Sequence, residues 1–269
     1  MAHCTDPIDN HNFICILIEI IGAFGLQDLI LRRISMKKSI IGVVMVALVL
    51  CSGMAFASEG VEMEAGIKMW YNNWKSEDPD PAGGTMKFNA ALMVGPAFEL
   101  KLPSNLFFEA SYLMSVTDYE KTEGVAKITS DRADLDVAIG YQFIPEVGIF
   151  AGYKSSSMDW TYTEPGFANE TGSMDVTGPV IGLRAKYSFD EVFGVYASAA
   201  YLKTKSEWKD ATGTFKEDAP GTAFELGLKA KFNKELSGSL GYKVESTEGD
   251  KSKVKDTFSG LTLGVMYAF

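Results

Sequence analysis

The chain has 269 residues, a formal charge of -10, 46% hydrophobic and 12% aromatic residues, and only 9 prolines. The acidic balance excludes a nucleic-acid binder, which needs a basic footprint, and the aromatic content excludes a disordered chain. All three cysteines (Cys4, Cys15, Cys51) and both histidines (His3, His11) precede Ser58, so the remainder has no disulfide framework, thiolate metal site or imidazole base.

Residues 1–35 fit no export pattern and read as a non-native or unprocessed N-terminal extension. Met36-Lys37-Lys38 then opens a short basic region, Ser39 to Leu50 is apolar, and Ala55-Phe56-Ala57 is a small-x-small cleavage pattern. Residues 36–57 therefore read as a secretory signal peptide cut between Ala57 and Ser58. Leu50 ahead of Cys51 speaks against a lipid anchor. After residue 57 no run approaches the roughly 20 apolar residues of a transmembrane helix. If residues 58–269 cross a membrane, they cross it as strands.

From Val61 onward the chain alternates with period two, which is the signature of a strand with unlike faces. The first segment sets Met63, Ala65, Ile67, Met69 and Tyr71 against Glu62, Glu64 and Lys68. In Met86 to Leu102, Phe88, Leu92, Val94, Phe98 and Leu100 are expected outward and Lys87, Met93, Glu99 and Lys101 inward. Eight further segments follow, around Phe108, Leu135, Ile149, Leu183, Val195, Leu226, Leu240 and Leu263, each with small or charged residues on its other face. Phe and Tyr recur at the ends of the apolar faces. Trp70, Trp74, Trp160 and Trp208 all lie beside the longer breaks, as expected of aromatic girdles at two lipid–water boundaries.

Short turns near residues 103–105, 145, 189–191 and 233–235 alternate with longer polar stretches at 75–85, 119–130, 159–173, 207–220 and 246–255. That alternation predicts an all-β, up-and-down antiparallel transmembrane barrel of ten strands, with short turns in the periplasm and long loops outside. Several segments exceed the about 9 to 11 residues of a tilted membrane strand. The surplus is expected to lift the wall above the outer leaflet.

The last strand puts Leu261, Leu263, Val265, Tyr267 and Phe269 on one face. This ending resembles the C-terminal assembly signal of bacterial outer-membrane β-barrel proteins, in which a terminal Phe follows apolar residues at alternate positions. The resemblance extends over residues 58–269. It implies location in the outer membrane and, as partners, outer-membrane lipid, lipopolysaccharide and the barrel assembly machinery; it identifies no function within the class.

Candidate working residues are the inward charges Glu99, Lys101, Glu109, Arg132, Asp134, Asp136, Arg184, Lys186, Glu225, Lys229, Lys231 and Lys243, joined by Glu62, Glu64, Lys68 and Glu245. They either pair across the lumen and plug it, or line a narrow watery path for small polar solutes. No cofactor or metal is expected. Omptin proteases share the ten-strand architecture but rely on an Asp–His pair, and no His follows residue 57, so no catalytic set transfers. Among the outer stretches, the acidic 75–84 run reads as solvated, the aromatics of 160–172 suit a partner or sugar or, equally, anchoring at the membrane interface, and Lys251, Lys253 and Lys255 read first as a charged hairpin tip and second as a contact for lipopolysaccharide phosphates. The expected function is a non-enzymatic outer-membrane barrel, either a porin-like narrow channel or an envelope structural protein. The alternative is an adhesin or ligand-binding protein acting through its long outer loops.

Overall fold

The computed structural model describes residues 60–80 and 83–269. The N-terminal extension, the signal peptide and the Ala57–Ser58 cleavage position lie outside the described residues. Twelve strands follow one another: β1 (Glu62–Asp78), β2 (Gly84–Lys87), β3 (Ala91–Lys101), β4 (Leu106–Ser115), β5 (Tyr119–Glu123), β6 (Ala126–Ile144), β7 (Val147–Thr163), β8 (Glu170–Ser188), β9 (Phe193–Asp210), β10 (Gly213–Lys231), β11 (Leu236–Glu248) and β12 (Lys255–Ala268). β2 and β3 are successive parts of one wall strand, and so are β4 and β5, which makes a ten-stranded wall. Neighbours pair antiparallel. The last strand pairs with the first from Glu64↔Ala268 to Glu77↔Lys255, so the sheet closes on itself and that seam leaves no edge to template aggregation.

Two irregularities interrupt the wall side by side. Between the pairs Asn72↔Ala91 and Lys75↔Lys87, β1 spends two residues, 73 and 74, while the opposite strand spends three, 88–90. The extra residue is a bulge, and a one-residue slip exchanges the two faces of a strand. Lys87 therefore turns outward and Phe88 inward, the reverse of the expected alternation; an unbroken period-two reading has no means of registering the inserted residue. Between β4 and β5 the excess is two residues, 115–118 against 131–132, which preserves parity and leaves Tyr119 facing in. Above these breaks β2 pairs with β1 and β5 with β6, and among the described residues no ladder joins β2 to β5. Asn89 N–H, donating to the Glu120 carbonyl at 2.9 Å, holds them together at the base of the gap.

The outer surface has two zones. Toward the short turns it is apolar: Ile139, Ile149, Ile181, Leu183, Leu226, Leu228, Leu240, Leu261 and Leu263 are all exposed. They form a lipid-facing band that a soluble protein would bury. Tyr141, Phe143, Tyr187, Phe193, Phe232 and Phe269 edge it on the turn side, and Tyr71, Tyr153, Tyr201 and Tyr242 on the other. Beyond those tyrosines the strands continue, but their outward residues are polar, such as Lys75 and Glu77, Asp159 and Thr161, or Lys203 and Lys205. β7 runs ten residues past Tyr153, roughly 30 Å along the strand.

The stretches 119–130, 159–173 and 207–220, expected as long loops, are therefore mostly strand, closed by a tighter tip such as Gly124–Val125 or residues 211–212, whereas 249–254 connects β11 to β12 without strand. A wall standing in water is polar outside without being irregular, which is why composition alone reads as loop.

Candidate functional site

The barrel interior has three layers, and the inward charges occupy the lower two. At the turn end is a cavity of about 500 Å³ lined by Glu62, Glu64, Lys68, Glu99, Lys101, Glu109, Asp136, Arg184, Lys186, Glu225, Lys229, Lys231 and Lys243. Most of its charges are cross-linked. Lys68 meets Glu225 at 3.0 Å, Lys101 meets Glu62 at 2.9 Å, Lys229 meets Glu64 at 2.8 Å and Lys186 meets Glu99 at 2.8 Å. Arg184 bridges Glu99 at 3.1 Å and Glu109. Its guanidinium carbon lies 3.2 Å from the centroid of the Phe107 ring.

Aromatic rings laid over inner-face glycines make this packing fit. The Phe107 ring covers Gly140 and the Phe150 ring covers Gly182, where a Cβ would overlap the ring in both cases. The small residues of the inner face are thus seats for aromatics, which explains why glycine recurs there opposite bulky outward residues.

The middle layer is a dry ionic network. Arg132 donates from Nε to Asp134 Oδ1 and from Nη2 to Glu245 Oε1, both at 2.7 Å. Lys154 reaches Glu245 at 3.0 Å, Asp136 at 3.2 Å and Asp134 at 3.7 Å, and Ser156 Oγ donates to Asp134 Oδ1 at 2.6 Å. Side-chain exposures of 1% for Arg132 and Asp134, 2% for Lys154 and 5% for Glu245 leave these four groups almost closed to water, with Lys154 and Glu245 meeting the cavity below. Lys243 extends it to Glu245 at 3.4 Å and Asp136 at 3.8 Å. Buried ions at this density persist only when they are paired and hydrogen-bonded. Arg132 also stacks 3.7 Å from the Phe258 ring centroid, and Lys243 Nζ lies 4.5 Å from that of Trp70.

Above the network lies an apolar cap of Trp70, Trp74, Phe88, Met93, Leu113, Tyr119, Met158, Met174, Val176 and Phe258. Trp74 is stacked between Phe88 (4.0 Å) and Phe258 (5.8 Å), with Tyr119 edge-on at 6.2 Å. Its one polar atom is satisfied, since Nε1–H donates to Asp256 Oδ1 at 2.8 Å. Tyr119 O–H donates to Asn72 Oδ1 at 2.7 Å.

The expected tryptophan girdle is thereby corrected. Trp70 and Trp74 are core residues and Trp208 packs against that core, while Trp160 sits opposite inward-facing Ser130. The girdle consists of Tyr and Phe. Tryptophan clusters inside because the wall rises out of the lipid there, and its interior must be closed by bulky apolar groups as in a soluble core.

The structure gathers Arg132, Asp134, Asp136, Lys243 and Glu245 into the network and places the other named charges in the cavity below. Lys154, the network's central cation, is not among the candidate charges expected from the sequence; it faces inward beside Asp136 on the neighbouring strand. Phe88, Trp74 and Phe258 carry no sequence signal for the cap, since their meeting depends on barrel closure and on the bulge. Leu261 and Leu263 of β12 are exposed on its lipid-facing side, Tyr267 is buried edge-on against Phe269 at 5.1 Å, and Phe269, one residue past the strand, donates its N–H to the Met63 carbonyl at 3.0 Å.

A closed ten-stranded ladder, a lipid-facing apolar band and a charged interior define a transmembrane β-barrel of the outer-membrane type. The family model described as "Outer membrane protein beta-barrel domain" matches residues 43–216 and 145–269, and the chain belongs to that family. It is 26% identical over 141 residues to the outer membrane porin PhoE of Citrobacter freundii, which covers 52% of this chain and 36% of that one. It is 32% identical over 103 residues to outer membrane porin F of Escherichia coli K12, covering 38% of this chain and 27% of that one. The chain thus spans about a third of the length of the curated relatives it matches. The crystal structure of the outer membrane protease OmpT from Escherichia coli superposes with a TM-score of 0.52 at 12% identity, over 80% of this chain and 99% of that one, a likeness of fold alone. The protein resides in the outer membrane.

Proposed function

We propose that this protein is a non-enzymatic envelope barrel whose lumen is closed to solute flow. One observation carries the reading: the dry Arg132–Asp134–Lys154–Glu245 network is roofed directly by the Trp74 stack, so a polar layer and an apolar layer each bar a different kind of solute. A diffusion pore needs a continuous wet path, and a water chain through this section would have to displace aromatic rings and paired ions together. The turn-end cavity is a vestibule open toward the periplasm under the orientation expected from the turns. The residues from Ser58 onward contain no histidine, and the inward carboxylates nearest one another are held in ion pairs, which supports reading them as structural and not catalytic. The alternating outward residues of β12 serve barrel assembly, and the polar wall above the tyrosines stands among lipopolysaccharide headgroups.

Purified protein in planar bilayers tests the reading. No discrete conductance steps are expected from the intact barrel, nor from a variant with Trp74, Phe88 and Phe258 truncated to Ala, in which the ionic layer still closes the lumen; truncating Arg132, Asp134, Lys154 and Glu245 as well should produce them. Stable steps from the intact protein would overturn the closed-lumen assignment in favour of a porin-like channel.

A further inference from the structure

We infer that the loop end of the barrel holds a binding site for a small organic cation with an aromatic or short aliphatic body. A cavity of about 310 Å³ sits on the cap, at the small end of the volumes of ligand pockets, about 300 to 1,000 Å³. Met86, Met174, Val176, Trp208 and Phe215 supply its apolar wall, and Gly249, Ser252 and Val254 of the β11–β12 connection form its lip. The site is independent of whether the lumen below conducts.

Charge selects the ligand class. Asp78, Glu217 and Asp256 line the cavity, and no lysine or arginine is among the lining residues. Asp256 is buried, and burial pushes its carboxyl above the ordinary aspartate value despite the hydrogen bonds from Trp74 and Ser76. A cation seated beside it would favour the ionised form. The aromatic faces add to the same preference, because ring quadrupoles attract ammonium groups. The protein's own Lys251 already shows this at the rim, with Nζ 5.7 Å from the Phe215 centroid. Its ammonium is drawn away from the cavity to the Lys216 carbonyl oxygen at 3.0 Å.

A second feature points to a missing donor. Ser206 faces inward from β9, lines this cavity and is 5% exposed, yet its Oγ has no hydrogen-bond partner. A buried hydroxyl left unpaired is costly and uncommon. A primary ammonium would give that oxygen a donor. A neutral apolar molecule would leave the Ser206 hydroxyl unpaired, and an anion would meet three carboxyl groups.

The test is isothermal titration of the full chain, refolded in detergent micelles, with phenethylamine, phenethyl alcohol and phenylacetate, each corrected against empty micelles. Saturable one-to-one binding of phenethylamine is expected, with the alcohol at least ten-fold weaker and phenylacetate silent. D256N should weaken phenethylamine at least ten-fold, and S206A several-fold, without altering the heat-modifiable mobility that marks the folded barrel. Equal binding of amine and alcohol, or no saturable binding of the amine, overturns the assignment. If D256N does not refold, S206A decides: unchanged affinity in that variant counts against the site.

Discussion

Replacing Arg132 by Met probes the middle layer directly. Four side chains there are almost fully buried, two cations (Arg132, Lys154) and two anions (Asp134, Glu245). R132M removes two charge-assisted hydrogen bonds of 2.7 Å and leaves two anions facing Lys154. At an effective dielectric near 20, a unit pair about 4 Å apart is worth about 4 kcal/mol before desolvation. Losing one partner of such a buried pair costs about 3 to 5 kcal/mol net. The double change R132M/E245M restores balance, with Lys154 still within 3.7 Å of Asp134, and should recover at least about 2 kcal/mol relative to the sum of the single changes. Urea unfolding in liposomes, followed by fluorescence of the interior tryptophans, gives the free energies by linear extrapolation. Additivity of the two substitutions within about 0.5 kcal/mol would refute the account, because it would mean the ions do not share one network.

Other consequences are checked individually. G140A forces a Cβ into the Phe107 ring, against which the Arg184 guanidinium also packs; overpacking should destabilise the barrel by about 1 to 3 kcal/mol, and G140A combined with F107L should regain part of that loss in the same unfolding assay. Glu217 is buried, which raises its carboxyl, but donation from the Ser252 hydroxyl and from the Ser252 and Lys251 backbone N–H groups outweighs burial and holds it below the ordinary glutamate value. A depressed folded value gives stability that is complete above the unfolded value and is lost as pH falls through the folded one. Amide exchange at Lys251 and Ser252, corrected for intrinsic rates, should therefore accelerate only below the ordinary glutamate range, and E217Q should abolish that pH dependence. Deleting Asn89 removes the extra residue of the bulge and leaves Phe88 two positions from Ala91 and opposite Trp74, so an unbroken ladder keeps Met86 and Phe88 inward; the near-ultraviolet circular dichroism of the Trp74 stack should persist, and its loss would refute the one-residue bulge. F269A should lower the yield of folded barrel in cells while leaving the unfolding free energy of protein refolded in vitro within about 1 kcal/mol, since Phe269 is half exposed at the chain terminus and partly exposed sites contribute little; an equal loss in both assays would make its role structural.

The sequence by itself determined the architecture. Period-two alternation, the spacing of the turns and the apolar face ending at Phe269 specify ten antiparallel strands and their closure, because each of those signals is local to one strand or one hairpin. It also placed the inward charges, since parity within an uninterrupted strand needs no knowledge of its neighbours. Only the tertiary structure decided what those residues meet. Arg132 and Glu245 are 113 positions apart and Trp74 and Asp256 are 182 apart; pairs of that kind are set by barrel closure and register, to which composition is blind. One inserted residue at 88–90 reversed the faces of Lys87 and Phe88 and supplied the ring that completes the cap. The tryptophans followed the same logic. Near a strand end, sequence cannot distinguish a residue facing lipid from one facing the interior of a wall that has risen into water, and here the wall continues past the tyrosines far enough to need an apolar core of its own.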